Sequence, residues 1–178
     1  FPRVDFELIK QYKEGIIATS CCIGAEVPQT IIHKGVEEAE KVLKKWLDVF
    51  EDDYYIELQR HSIPDIDETG WSQEAVNQEL IKLADKYELR VIATNDSHYV
   101  NQKDSEAHDI LLCLQTGKDF TDPDRFKFYN DQFFFKTQHQ MKELFKDVPQ
   151  AIENTLHLAE KVEMLKLERD VLLPAFQV

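Results

Sequence analysis

Asp96 and His98 stand two residues apart at the carboxyl end of a short apolar run, Arg90 to Thr94. On extended backbone the side-chain period is two, so both side chains fall on one side. A carboxylate oxygen and an imidazole nitrogen placed this way can reach one ion, or two adjacent ions. Zinc accepts cysteine, histidine and carboxylate at four-coordinate sites. Manganese also suits carboxylate and imidazole, but takes thiolate less readily. A thiolate from another strand end would be a third ligand, and Cys22 follows an earlier β-branched run, Ile16 to Ser20. Asp96, His98 and Cys22 are therefore the candidate metal ligands. The blander reading is a turn aspartate beside an exposed histidine, with a buried free cysteine acting as a small hydrophobe.

Glu57, Gln59 and His61 are candidates for supporting roles around such a site. The first two lie on one side of the run Tyr54 to Gln59, and His61 follows it. Glu57 and Gln59 can equally be polar core groups satisfied by neighbours, and His61 a solvated loop histidine. Cys21 is expected to point away from Cys22, into packing. Asp104 and His108 are four apart on a helical stretch, where a simple surface pair is the favoured reading. Trp46, Phe50 and Trp71 read as core. The chain has no Walker-type phosphate loop, dinucleotide glycine fingerprint or nucleophile elbow.

The elements that must position these residues follow from periodicity. Asp5 to Glu14 reads as a short helix closed by Gly15. Ala25 to His33 is a second, with Pro28 tolerable in its first turn. Val36 to Phe50 is amphipathic, with Val36, Ala39, Val42, Leu43, Trp46, Leu47 and Phe50 on one face. Trp71 to Tyr87 and Asp104 to Gln115 are further helices. Strands alternate with helices long enough to be crossovers, the signature of a parallel α/β unit. Functional groups in such folds gather at the carboxyl ends of strands. After Gly117 the character changes to a loop-rich stretch, Asp119 to Phe135. Two helices, Thr137 to Phe145 and Pro149 to Val162, are expected beyond it.

Bulk properties narrow the function. The 178 residues suffice for a real core, and 43% hydrophobic residues exclude a disordered tail. Lysine plus arginine is 21 and aspartate plus glutamate is 34, a net charge of −13. That balance disfavours a surface built to clamp nucleic-acid phosphates. Three cysteines, two of them adjacent, do not suggest a disulfide scaffold, so a reducing cytoplasm is the expected compartment. No apolar run is long enough to span a bilayer. The chain opens on Phe1 without a leader, and a fragment beginning within a domain is expected.

Several stretches resemble one known family. Gly15 to Gln29 (GIIATSCCIGAEVPQ) resembles the GL-x-x-TSGCLGSEIPQ segment of bacterial DNA polymerase III alpha subunits. Tyr54 to His61 is similar to that family's FYLELQ-x-H strand, and Val91 to Tyr99 to its VATND-x-HY. Phe135-Lys136, Met141 to Phe145 and Pro149 to Thr155 resemble its YLKS-x-EEM-x-x-LF-x-x-x-PEA-x-x-NT, and Leu172 to Phe176 its LLPKF. The matches are collinear over almost the whole chain.

The resemblance implies the later part of a PHP (polymerase and histidinol phosphatase) domain, a distorted (β/α)7 barrel. Residues 1–117 would be barrel, and 118–178 a loop-rich and helical extension joining it to the polymerase core. It implies a cluster of divalent zinc, manganese or iron ions, incomplete here. The family's cysteine ligand falls on Cys22 and its late Asp-x-His ligands on Asp96 and His98. Its early ligands, a His-x-His included, would lie before Phe1, and the nucleotidyl-transfer aspartates after Val178. Cys21 stands where the family usually has glycine. The implied parent is a replicative DNA-directed DNA polymerase that binds DNA, an exonuclease subunit and a sliding clamp. Its PHP site would support 3′–5′ exonucleolytic hydrolysis or, alternatively, a non-catalytic scaffold that docks replisome partners. A free-standing PHP phosphoesterase is disfavoured by the match from Met141 to Phe176.

Overall fold

A computed structural model describes residues 3–164 and Glu168; the Leu172 to Phe176 match lies outside the described residues. Ala18–Thr19 (β1), Tyr54–Gln59 (β2) and Val91–Thr94 (β3) form a parallel sheet in the order β1-β2-β3. Ala18 pairs with Tyr54, and Gln59 with Thr94. Helices Glu26–Lys34 (α2) and Val36–Phe50 (α3) connect β1 to β2, and Gln73–Lys86 (α4) connects β2 to β3. Phe6–Gln11 (α1) precedes the sheet. Ser105–Thr116 (α5), Gln138–Leu144 (α6) and Pro149–Glu160 (α7) follow it.

The first strand is shorter than its apolar run. Gly15 adopts a φ of +76°, and Ile16 donates its N–H back to the Lys13 carbonyl, so the chain is still turning there. At the other end the Ser20 hydroxyl, not a ladder carbonyl, accepts the Glu57 N–H at 2.8 Å. The side chain thus ends the ladder without leaving the β2 amide unpaired.

The strands separate two kinds of side chain by period-2 alternation. Tyr54, Ile56, Leu58, Val91 and Ala93 enter one apolar core with Val27, Ile31, Leu43, Val76 and Leu80 from the helices. Tyr55, Glu57 and Gln59 occupy the alternate positions. Of the expected core aromatics, Phe50 is buried, whereas Trp46 and Trp71 are only partly so. Phe6 packs edge-on against Trp46, which brings α1 onto α3. Caps set several helix starts. The Ser72 hydroxyl accepts from the Ala75 N–H of α4, and Thr137 with Gln140 forms a capping box on α6.

The later helices pack on the same strands. Phe145, Val148 and Ala151 are buried in the core shared with β2 and β3. Asn154 of α7 donates to the Val91 carbonyl at 2.8 Å. Arg60, just past β2, anchors this contact. Its guanidinium donates to both oxygens of Glu74, to both of Asp147, and to the Leu144 carbonyl at 2.7 Å. It also lies 4.9 Å over the Phe145 ring. Both carboxylates are about half exposed, so each ion pair alone contributes little. The Leu144 carbonyl and the covered ring matter more.

Arg60→Met is therefore expected to cost roughly 1–3 kcal/mol, seen as a lower urea midpoint. An unchanged midpoint would show that α6 and α7 dock without it. Arg60 also holds the Asp147 carboxyl below its ordinary value. That contribution is complete above about pH 4 and fades as pH falls through the depressed value. The variant should show a flatter acid limb below about pH 4.

Candidate metal centre

Three strand ends meet at one pocket of about 380 Å³. Cys22, Gln59, His61, Asp96 and His98 all line it, with Phe126, Phe128 and Phe133 on its aromatic side. Glu57 is not among the lining residues; it lies one period below Gln59 on β2.

Glu57, Gln59 and two threonines form a polar layer across the sheet. Thr19 of β1 donates to Glu57 Oε2 at 2.7 Å, and Thr94 of β3 to Oε1 at 2.5 Å. The Gln59 amide donates to Glu57 Oε1 at 2.9 Å. Asn77 of α4 donates to the Gln59 carbonyl. A half-buried carboxylate with three donors has its acceptor capacity used within the protein, which is why a polar pair is tolerated in a buried strand.

His61 is 1% exposed, not a solvated loop histidine. Its ring stacks on Phe133 at 4.0 Å. The Asn95 carbonyl, 2.8 Å from Nε2, can only accept, so Nε2 carries the proton. Nδ1 then accepts from the Gln73 amide at 3.1 Å, while Gln73 Oε1 accepts the His61 backbone N–H. Both ring nitrogens are engaged, so neither is free for an ion. Burial, aided by the charge of Lys136, pushes the imidazole below its ordinary value against the pull of the Asn95 bond. His61 stays neutral and grips the residue just before Asp96.

The turn that follows β3 is bent by Asp96 itself, whose φ is +48°. His98 Nδ1 donates to the Asp96 carbonyl at 2.7 Å. That bond leaves the Nε2 lone pair available, the tautomer a metal-bound histidine uses when a carbonyl holds its other nitrogen. The ring is packed 4.5 Å from Phe128 and 5.6 Å from His108. Asp96 and His98 side chains remain more than a third exposed. Cys22 is half-buried, and its sulfur is 3.7 Å from where a Cβ on Gly24 would stand.

Donor chemistry at the pocket suits a divalent ion: a thiol, a carboxylate and a correctly protonated imidazole. Among the described residues, however, no group of three or more His, Cys, Asp or Glu side chains converges closely enough to hold one. The three candidates share a mouth without forming a finished site.

Two expectations are corrected. Cys21 is exposed, not packed, and has a φ of +58°. Left-handed backbone there is what a glycine supplies at no cost. Asp104 does not pair with His108. Its carboxylate accepts from the Asn101 N–H and side chain, a cap that starts the turn before α5. His108 instead packs on His98, Tyr99 and Phe128. Sequence reasoning also missed Gln73, Asn95 and Phe133. Gln73 occupies an unremarkable first-turn position of α4. Asn95 carried the only signal, a polar residue between a buried strand and the candidate pair.

Residues 1–61 match the family described as PHP domain. Along nearly its whole length the chain is also similar to proteins named DNA polymerase III subunit alpha. It is 39% identical to that of Borreliella burgdorferi over 178 residues, covering 99% of this chain. The identity is 36% to that of Treponema pallidum, again over 99% of the chain, and 36% to that of Thermus aquaticus over 92%. The PHP match covers the first third of the chain, and the similarity to alpha subunits runs along nearly all of it. The chain spans 15%, 15% and 13% of the length of these three relatives. The parallel sheet with crossover helices agrees with a PHP segment. No described helix is long and apolar enough to cross a membrane.

The His61 geometry sets a pH test. Below about pH 6.5 the unfolded chain takes up a proton that the folded imidazole refuses. Stability from this group is complete above that value and is lost as pH falls towards the depressed one. His61→Gln keeps a donor and an acceptor but removes the titration. It should cost roughly 1–3 kcal/mol at pH 7.5. Its urea midpoint should then fall less than the parent's between pH 7.5 and 5.5. Equal slopes would place the acid sensitivity elsewhere.

Proposed function

We propose that this chain is the later part of the PHP domain of a replicative DNA polymerase alpha subunit, and that Cys22, Asp96 and His98 are ligands of its divalent-metal cluster. The observation that carries this reading is the convergence of all three on one pocket at the carboxyl ends of parallel strands, with the His98 Nε2 lone pair left available. Further ligands would come from the rest of the longer protein, since the described residues alone hold no closed group. Zinc, manganese or iron would suit this donor set.

When bound, such ions polarise a phosphoester and activate water. The chain's own residues do the holding. His61 fixes the Asn95 carbonyl, His98 is oriented by the Asp96 carbonyl, and the Glu57 layer keeps the strand ends in register. In the whole protein this site would hydrolyse the 3′ phosphodiester of DNA, while polymerisation occurs elsewhere. Residues 118–178 would lead from the PHP strands to the polymerase core. The parent would be cytoplasmic, with DNA, an exonuclease subunit and a sliding clamp among its partners.

A second reading has specific support. The net charge of −13 and the exposed apolar residues Ile110, Leu111 and Leu114 of α5 suit protein docking better than DNA contact. On that reading the domain is a scaffold.

The two separate in the full-length subunit carrying Asp96→Asn and His98→Ala. A catalytic site predicts at least a hundredfold loss of 3′ phosphodiester hydrolysis, loss of bound metal, and retained polymerisation. Intact hydrolysis with altered stability or partner binding would favour the scaffold. The isolated chain should bind zinc far more weakly than the full-length subunit by calorimetry, because its ligand set is partial.

A further inference from the structure

The polar contacts around the Asp96–His98 turn do not come mainly from the strands of the sheet. They come from residues 130–136, far along the sequence in the loop-rich extension. The Asn130 amide donates to the His61 carbonyl at 2.5 Å. The His98 N–H donates to the Phe133 carbonyl at 2.8 Å, and the Phe135 N–H to the Tyr99 carbonyl at 2.9 Å. Between them Tyr99 and Phe134 form an isolated parallel bridge. The segment therefore crosses the carboxyl ends of β2 and β3 as a strap, bonded on both sides of Asp96 and His98.

Asn95 and Lys136 close it. The Asn95 amide donates to the Phe134 carbonyl at 2.7 Å. Its Oδ1 accepts from Lys136 Nζ at 3.0 Å. The same ammonium donates to the Gln132 carbonyl and lies 4.2 Å over the Phe134 ring. A part-buried ammonium costs desolvation, and this one has no carboxylate within ion-pair reach among the described residues. What it does hold is a carbonyl of the strap and the side chain of the residue before Asp96. Asn95 is in turn gripped from below by His61. Asn95 is thus pinned at its amide, its side-chain oxygen and its carbonyl.

We infer that Lys136 is a positioning residue for the candidate metal turn, acting through Asn95, and that the strap 130–136 belongs to the site as much as the strands do. The metal consequence rests on the reading proposed above; the positioning itself does not. Supporting groups around metal ligands commonly carry 10–100-fold in affinity.

The test uses the full-length subunit. In metal-free protein, Lys136→Met should speed amide hydrogen exchange at residues 95–99 at least tenfold, leaving residues 54–59 of β2 unchanged. Asn95→Asp keeps the volume but removes the donor to Phe134, and should loosen the same peptide if Lys136→Met fails to fold. The double variant should be no looser than the worse single one. In cobalt-loaded protein, Lys136→Met should weaken cobalt binding by about 10–100-fold and shift the visible absorption that reports ligand geometry. Exchange at residues 95–99 that rises no more than at residues 54–59 overturns the positioning role. Faster exchange with unchanged cobalt affinity and spectrum overturns its extension to the metal. A parent that takes up no cobalt overturns the metal reading, and the exchange result then decides the strap alone.

Discussion

The middle strand is paired along both edges, to β1 and to β3, and nearly every residue of it is buried. Water reaches it poorly, so a polar group it carries is costly unless it is satisfied from within the protein. Among the described residues the Tyr55 hydroxyl is buried without a hydrogen-bond partner, but Glu57 and Gln59 are both satisfied. Their partners are threonines from the neighbouring strands and an asparagine from α4. Thr94 is opposite Gln59 in the ladder register, so a one-residue slip would turn it to the other face. The polar layer thus fixes the register, and the register fixes where the three strand ends emerge. The candidate ligands share a mouth because of it.

One layer higher the same constraint recurs. His61 leaves β2 into a buried position and brings two ring nitrogens that need partners. Gln73 and the Asn95 carbonyl supply them. The bond to Asn95 links the end of β2 to the end of β3 where no ladder pairing remains. A buried neutral histidine is a suitable link because it donates on one side and accepts on the other. It is also conditional, since its protonation would remove the acceptor that Gln73 uses.

Much of the architecture was legible in the residues. The 3.6 period of Val36 to Phe50 gave α3 with its bounds, and the run Tyr54 to Gln59 gave β2. These are long, uninterrupted patterns whose burial decides their form. The first strand was overestimated because apolar content in Ile16 to Ser20 reports burial, not ladder pairing. Local competition decided the rest: Gly15 turns the chain and Ser20 takes an amide the ladder would have used. The site was legible only in part. Cys22, Asp96 and His98 are residue types that announce chemistry. Gln73, Asn95 and Lys136 are not, and their contacts span 12, 34 and 41 residues of sequence. Periodicity carries no information at that range.

Backbone conformation explains a departure that side-chain chemistry does not. Cys21 sits at a φ of +58° and Asp96 at +48°. Aspartate tolerates that region comparatively well, but a cysteine gains nothing from it. A glycine at the first position would carry no such strain. This chain accepts a backbone cost at Cys21, so the turn is determined by its surroundings and not by residue 21. Thr19 supplies part of that determination, its hydroxyl accepting the Cys21 N–H while donating to Glu57. The polar layer that sets the strand register also bends the chain toward Cys22. The layer and the bend both draw on β2 and so bear on Cys22, whereas the strap holds the Asp96–His98 turn from the other side of the pocket mouth.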